Sequence, residues 1–266
     1  MKHLVVISIL FSFSLMAYES KLPKCPKKFD NTWDACKGTY VASDKGKYIG
    51  EFYNAMMNGY GRYEKEGNVY EGYFKNWKFD GEGTYTYASG ALYKGEFLRG
   101  YIHGKGKMIF DDKESFYEGD WVLAQKHGHG KYVWANGSVY EGDYKFDNMD
   151  GTGKYVWPDG SSYEGSYFNG LMSGYGKVIM NDYTYEGEVN VDKLWGYGTY
   201  TYQDGSYYEG QFLNGYLHGK GTCYIPGQKV QPCEFKDGKN TTKGNSPVAK
   251  ILGNLIKRAI IGEILK

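Results

Sequence analysis

Tyr163-Glu164-Gly165-Ser166-Tyr167-Phe168-Asn169-Gly170, followed by Gly174-Tyr175-Gly176, decides how this chain folds. The same order of residues returns along most of the molecule. A tyrosine opens each copy, at Tyr48, Tyr70, Tyr93, Tyr117, Tyr140, Tyr163, Tyr185 and Tyr208, with gaps of 22, 23, 24, 23, 23, 22 and 23 residues. A glycine always stands two residues on, and a Gly-x-Gly pair such as Gly128/Gly130 or Gly151/Gly153 closes the first half of every copy. Eight tandem copies at a fixed period specify a repeat array, in which each unit buries its apolar side against its neighbours.

Within a copy the period is two. The opening Tyr, the Gly and the next aromatic (Phe52, Phe74, Phe97, Trp121, Tyr144, Tyr167, Phe212; Val189 departs) fall on one face of a strand, with Glu or another polar residue opposite. The run after Gly-x-Gly alternates in the same way, as in Thr84-Tyr85-Thr86-Tyr87 and Lys131-Tyr132-Val133-Trp134. Gly-rich turns join the two runs, so each copy reads as a β-hairpin. Asn136-Gly137, Asp159-Gly160 and Asp204-Gly205 supply the positive φ of tight turns between copies. A Gly between two aromatics on one face leaves room for a ring to lie across it. The expected fold is therefore all-β: an elongated, single-layer antiparallel meander of stacked hairpins, with an aromatic concave face and a polar convex face. Two strands per copy at about 4.8 Å each give about 10 Å of rise, and eight copies about 80 Å.

The pattern resembles the MORN (membrane occupation and recognition nexus) repeat, whose consensus runs Tyr-Glu-Gly-Glu-Phe/Trp and then Gly-x-Gly. The resemblance covers about residues 36–238. It implies a scaffold, and function on a scaffold lives in sites placed upon it.

Formal net charge is +1 with 24% charged residues, so no basic excess points to nucleic acid. Aromatic content is 18%, with 29 Tyr, and those tyrosines fall on repeat columns. At the N-terminus, Lys2 and His3 precede an apolar run from Leu4 to Ala17 that is short for a bilayer span. Residues 1–17 read as a secretory signal peptide cleaved after Ala17, which predicts an exported chain, periplasmic or extracellular. Residues 18–47 then form an N-terminal cap with a half-repeat, and 48–238 the array. Export brings oxidant, so the four cysteines are expected as two disulfides, Cys25–Cys36 and Cys223–Cys233, closing short loops at the two ends. Zinc is the weaker reading, because spacings of 11 and 10 residues lack any CxxC.

Glu71, Glu118, Glu141, Glu164, Glu186 and Glu209 make one charge column, and Arg62, Lys107, Lys131, Lys154 and Lys177 another on partner strands. These read as a solvated face with cross-strand pairs. His103, His127 and His218 share the column before Gly-x-Gly with Asp80, Asp150, Asn58, Ser173 and Trp195. Members of one column lie about 10 Å apart, whereas zinc ligands sit about 2 Å from the metal, so these are turn residues. Nucleophile elbow, P-loop and dinucleotide fingerprint are all missing, and the carboxylates are regularly spaced with no singular pair. The sequence predicts neither an enzyme nor a cofactor.

A polar linker, 239–247, leads to residues 248–266, where the period changes to 3.6 through Val248, Leu252, Leu255, Ile256, Ala259, Ile260 and Ile264. This predicts a C-terminal amphipathic helix. It either folds back over the array, or meets a partner helix, or lies on an anionic membrane through Lys250, Lys257, Arg258 and Lys266. About 18 residues make a helix of about 27 Å, enough for three hairpins. That leaves aromatic surface open, and open apolar surface marks interaction sites. The functional expectation is a non-catalytic scaffold that binds a protein partner, or a second copy of itself, along a groove lined by Tyr85, Tyr87, Trp121, Tyr132, Trp134, Tyr155 and Trp157. The alternative is a phospholipid- or glycan-binding module.

Overall fold

A computed structural model describes residues 20–243. The signal peptide and the amphipathic helix expected at the two termini lie outside the described residues. Nineteen strands, from β1 (Cys36–Val41) to β19 (Lys239–Asn240), form one antiparallel sheet. Each strand pairs with the next in sequence, so the sheet is an uninterrupted meander. No helix occurs among the described residues.

The register follows from the repeat. In β11 (Asn148–Val156), β12 (Ser162–Phe168) and β13 (Leu171–Ile179), Gly153 faces Gly165 and Gly165 faces Gly176, while Tyr155 faces Tyr163. Glycine thus pairs with glycine across the sheet, and the vacated space is occupied by the opening tyrosine. A Cβ on Gly165 would stand 2.6 Å from the Tyr163 hydroxyl, and one on Gly176 at 2.5 Å from the same atom. All eight opening tyrosines are 0% exposed, without any second layer of the described chain above them. Each ring meets the next aromatic of its neighbourhood edge-on, as Tyr140 meets Tyr144 at 5.2 Å and Tyr167 at 5.1 Å. Each hydroxyl donates to the carbonyl three residues on: Tyr140 to Asp143 at 3.0 Å, Tyr163 to Ser166 at 3.0 Å, Tyr70 to Tyr73 at 2.8 Å. A sheet one layer thick thereby makes a dry core from rings laid flat on glycine.

The two kinds of turn differ. Inside each copy the strands join through two residues that both have positive φ, such as Asn169 (48°) and Gly170 (84°), or Phe146 (48°) and Asp147 (71°). The second of these also donates its N–H to the preceding copy, Gly170 to the Met149 carbonyl at 2.8 Å and Asp192 to that of Met172 at 3.1 Å. Between copies the loop is wider. Gly137, Gly160 and Gly205 do take positive φ (87°, 87° and 82°). The Asn or Asp before each does not; instead Asn136 Oδ1 accepts the Ser138 N–H at 2.9 Å and Asp159 Oδ1 that of Ser161 at 2.9 Å. The Asn-Gly and Asp-Gly pairs therefore build three-residue loops ending in a glycine bulge, not two-residue turns.

Both ends of the sheet are closed locally. The Pro23 carbonyl accepts the Lys37 N–H at 2.8 Å and the Cys25 N–H reaches the Lys37 carbonyl at 3.0 Å, so residues 23–25 cover the outer edge of β1. A Cys25–Cys36 disulfide (S–S 2.00 Å) fastens them, and Phe29 and Trp33 pack on Phe52. At the other end Cys223 and Cys233 bridge strands β17 (Tyr216–Tyr224) and β18 (Gln231–Lys236) at an S–S distance of 2.06 Å.

Candidate interaction surface

The sheet presents two faces of opposite chemistry. On one, the rings; on the other, side chains at the second and fourth positions of each copy. From Lys107 to Glu186 the second-position row alternates in sign, with Lys107 and Glu118 at 3.1 Å, Lys154 and Glu164 at 3.3 Å, and Lys177 and Glu186 at 3.5 Å. All of these side chains are at least two-fifths exposed, so each pair contributes a few tenths of a kcal/mol at most.

The fourth-position carboxylates have a more specific task. After each inner turn the returning strand carries two more residues than its partner; Gly142 faces Gly153, but Tyr144 faces Met149. The surplus forms a bulge in which the first Gly of Gly-x-Gly adopts positive φ (Gly151, 118°) and the next N–H loses its ladder partner. Asp143 Oδ2 accepts that N–H from Thr152 at 2.8 Å, and this backbone hydrogen bond holds the Asp143 carboxyl below its usual range. Glu96 does the same for Lys105 at 2.9 Å, Asp120 for His129 at 3.1 Å and Glu188 for Tyr197 at 2.9 Å. This role was not read from the sequence, although the signal was present: an acid in the fourth position of a copy, nine residues before the x of Gly-x-Gly.

Part of the column containing the histidines acts similarly, although His103 and His127 keep a buried Nδ1 without a hydrogen-bond partner. Asp80 accepts the Arg99 N–H at 3.2 Å, Asp150 that of Asn169 at 3.2 Å, and His218 Nδ1 that of Asp237 at 3.5 Å. Each caps the inner turn of the next copy. Among the described residues no three His, Cys, Asp or Glu side chains gather as metal ligands.

The seven ring residues singled out from the sequence divide into two groups. Trp121 (5% exposed) and Trp157 (4%) are buried, Trp121 beneath the Tyr93 and Tyr117 rings. Tyr85, Tyr87, Tyr132, Trp134 and Tyr155 are half-buried against the core. They form runs of touching rings: Tyr85–Tyr87 at 4.6 Å, then Tyr132–Trp134 at 4.4 Å, Trp134–Tyr155 at 5.3 Å and Tyr155–Trp157 at 5.0 Å. Beside them lies Lys126, in a column otherwise held by Met57, Phe79, Ile102, Met149, Met172, Leu194 and Leu217. Its Nζ stands 4.9 Å from the centre of the Tyr132 ring and 5.4 Å from that of Tyr144, and burial lowers its pKa. The charged face carries hollows of its own. One of about 780 Å³ is lined by Lys94, Lys105, Lys107, Glu118 and His129 over a floor of glycines, and one of about 690 Å³ by Glu141, Lys154, Glu164, Tyr175 and Lys177. The rings fill their own side of the sheet, whereas on the other side the backbone lies bare between two rows of side chains.

A family model described as "MORN repeat" matches residues 48–66, 70–92, 93–115, 117–139, 140–162, 163–184, 185–207 and 208–228. The chain is 33% identical to alsin of Rattus norvegicus over 118 residues, 39% of this chain but 7% of alsin. It is 41% identical to MORN repeat-containing protein 3 of Xenopus laevis over 44 residues, 16% of this chain and 18% of that protein. Among solved structures, the wild-type TCP10 domain of Danio rerio CPAP is similar with a TM-score of 0.43 and 12% identity, covering 78% of this chain and 99% of that one. The chain thus spans a small fraction of the curated relatives it matches.

Proposed function

The chain belongs to the MORN repeat family, and from that premise we propose that it is an exported, non-catalytic scaffold that holds a protein partner on its ring-bearing face. Repeats of this family act in general as interaction modules for proteins or membranes. The observation that carries the proposal is the division of labour among the rings. The opening tyrosines satisfy their own hydroxyls and are fully buried, so they belong to the fold. Tyr132, Trp134 and Tyr155 pack against that core from its rim and stay half-open in one continuous run beside a cation in an apolar column. Rigid rings of this kind anchor partners at low entropic cost. Two cysteine pairs at bonding distance fit an oxidising compartment.

Crosslinking and pull-down from the envelope or secreted fraction tests this reading. Wild-type protein should retain a specific partner that Trp134→Ala and Tyr155→Ala release, with the melting temperature little changed. A partner retained by both variants removes the ring face from consideration. The same run of rings also suits a second ligand, the flat face of a sugar, and glycan-array binding that depends on Trp134 would favour that reading. The anionic-membrane reading rests on residues 248–266, outside the described residues; vesicle sedimentation with and without that segment decides it.

A further inference from the structure

The inner turns contain a conflict that folding does not explain. Two successive residues at positive φ favour Asn-Gly, and Asn169-Gly170 and Asn214-Gly215 comply. Leu123 (φ 50°), Phe146 (48°) and Val191 (48°) do not, and each such residue costs about 1–2 kcal/mol. They stay 59%, 53% and 54% exposed, and of the three only Phe146 meets a ring, that of His127 at 5.1 Å. Where the tip is polar, its flanks are apolar instead: Leu98 and Tyr101 (43% and 57% exposed), and Phe168 and Leu171 (63% and 39%). Five successive inner turns therefore hold out large apolar side chains along one long edge of the ribbon.

The two long edges also differ in charge. Counting each turn with the residue on either side, the nine inner turns carry seven Lys and Arg against three Asp. The nine linking loops carry eight carboxylates against five Lys, and small tips such as Ala88, Ala135, Pro158 and Pro226. Both edges inherit the same pitch, about 10 Å per copy, so bulky tips on one can seat between successive loops of the other. An edge about 80 Å long and about 10 Å thick offers about 800 Å² per partner, the size of a standard stable interface.

We propose that the inner-turn edge docks on the linking-loop edge of a second copy of this chain, joining ribbons side by side. The contact is heterologous, so each pair leaves one edge of each kind free and the assembly stays open. A membrane is a poorer occupant of the same edge, because Asp147, Asp192 and Asp237 stand at its tips. This inference is independent of the ring face.

Sedimentation velocity of the full chain from low to high micromolar concentration tests it. Wild type should show a mass that climbs with concentration and falls with added salt. The triple variant Leu123→Asn, Phe146→Asn, Val191→Asn should remain monomeric and yet melt higher, since Asn tolerates the left-handed turn. Reversal on the other edge, Asp111→Lys with Glu114→Lys, should also give monomer. A mixture of the two variants should form dimers and nothing larger, because each retains one good edge. A wild type that stays monomeric overturns the proposal, as does a triple variant that melts lower. So does association that survives Asp111→Lys with Glu114→Lys, or a monomer that floats with anionic vesicles through the same edge.

Discussion

The ring face and the charged face of this sheet are built by alternate residues of the same strands, yet they bear unequal shares of the fold. Tyr163 and its neighbour Glu164 show the contrast. The Tyr163 ring covers Gly176, meets Tyr167 at 5.3 Å, bonds Ser166 and is 0% exposed. Glu164 pairs with Lys154 at 3.3 Å with its side chain 68% exposed. A difference of one position along the chain thus separates a part whose removal opens the core from a part whose removal touches solvent. In an array the lesson repeats eight times, because neighbouring copies share one register.

The largest effects should come from filling the space under a ring. Gly176→Val places side-chain atoms where the Tyr163 ring lies, and the ring has no second layer to move into. Circular dichroism melts should show the copies around it unfolded or a loss above about 3 kcal/mol, in line with severe overpacking. Tyr163→Ala should cost about 3–5 kcal/mol, the usual range for deleting a core aromatic. Tyr163→Phe keeps the packing but leaves the Ser166 carbonyl without its donor; about 1–2 kcal/mol should be lost in urea titrations. A near-neutral Gly176→Val would break the comparison outright.

Alkaline pH probes the ring face as a whole. Burial raises the opening tyrosines, Tyr163 up to about 12 from the ordinary value near 10, with like shifts in direction at Tyr48, Tyr93 and Tyr140. Their folded pKa lies above the unfolded one. The associated stability is therefore complete below pH 10 and declines as pH rises from there through the folded values. Unfolding midpoints should hold steady from pH 8 to 9.5 and drop steeply by pH 12, together with the phenolate absorbance. Separate titration of the phenols ahead of unfolding would show that the rings are not shielded by their own packing.

Most of this architecture was legible in the chain because a period of two inside a period of 23 leaves few alternatives. The hairpins, the Gly–Gly register and the ring lying over glycine all follow from Tyr163, Gly165 and Gly176 alone. The bulge did not, since an extra pair of residues such as Gly151-Thr152 looks like strand until the partner's count is known. For the same reason alternation alone does not set Asp143 and Glu96, which cap N–H groups of the returning strand, apart from the other polar residues of that face. The choice between turn types also escaped, because Asn136-Gly137 suits either a two-residue turn or the last part of a three-residue loop. Among the site residues, alternation gave Trp121, Trp157 and Trp134 the same face, but alternation carries no information on depth. Trp121 sinks between opening tyrosines, and of two tryptophans at the same place after Gly-x-Gly, Trp157 is 4% exposed while Trp134 stays at the rim of the core.

The smallest effect separates two kinds of acid on the charged face itself. Glu164→Ala removes only an exposed cross-strand pair, and Lys154 remains hydrated, so the loss should lie within about 0.5 kcal/mol and vanish in high salt. Asp143→Ala stands on the same face and is also partly exposed, but it strands the Thr152 N–H inside the bulge and releases the Thr152 hydroxyl. It should cost about 1–2 kcal/mol, and salt should remove only the small share owed to the exposed His129 contact at 3.5 Å, because the main interaction lost is a backbone cap with fixed geometry rather than a screened pair. Asp143→Asn, which keeps an acceptor oxygen, should recover most of the loss. Equal and equally salt-sensitive effects at Glu164 and Asp143 would mean that the second- and fourth-position acids do one job, and that the bulge closes without help from either.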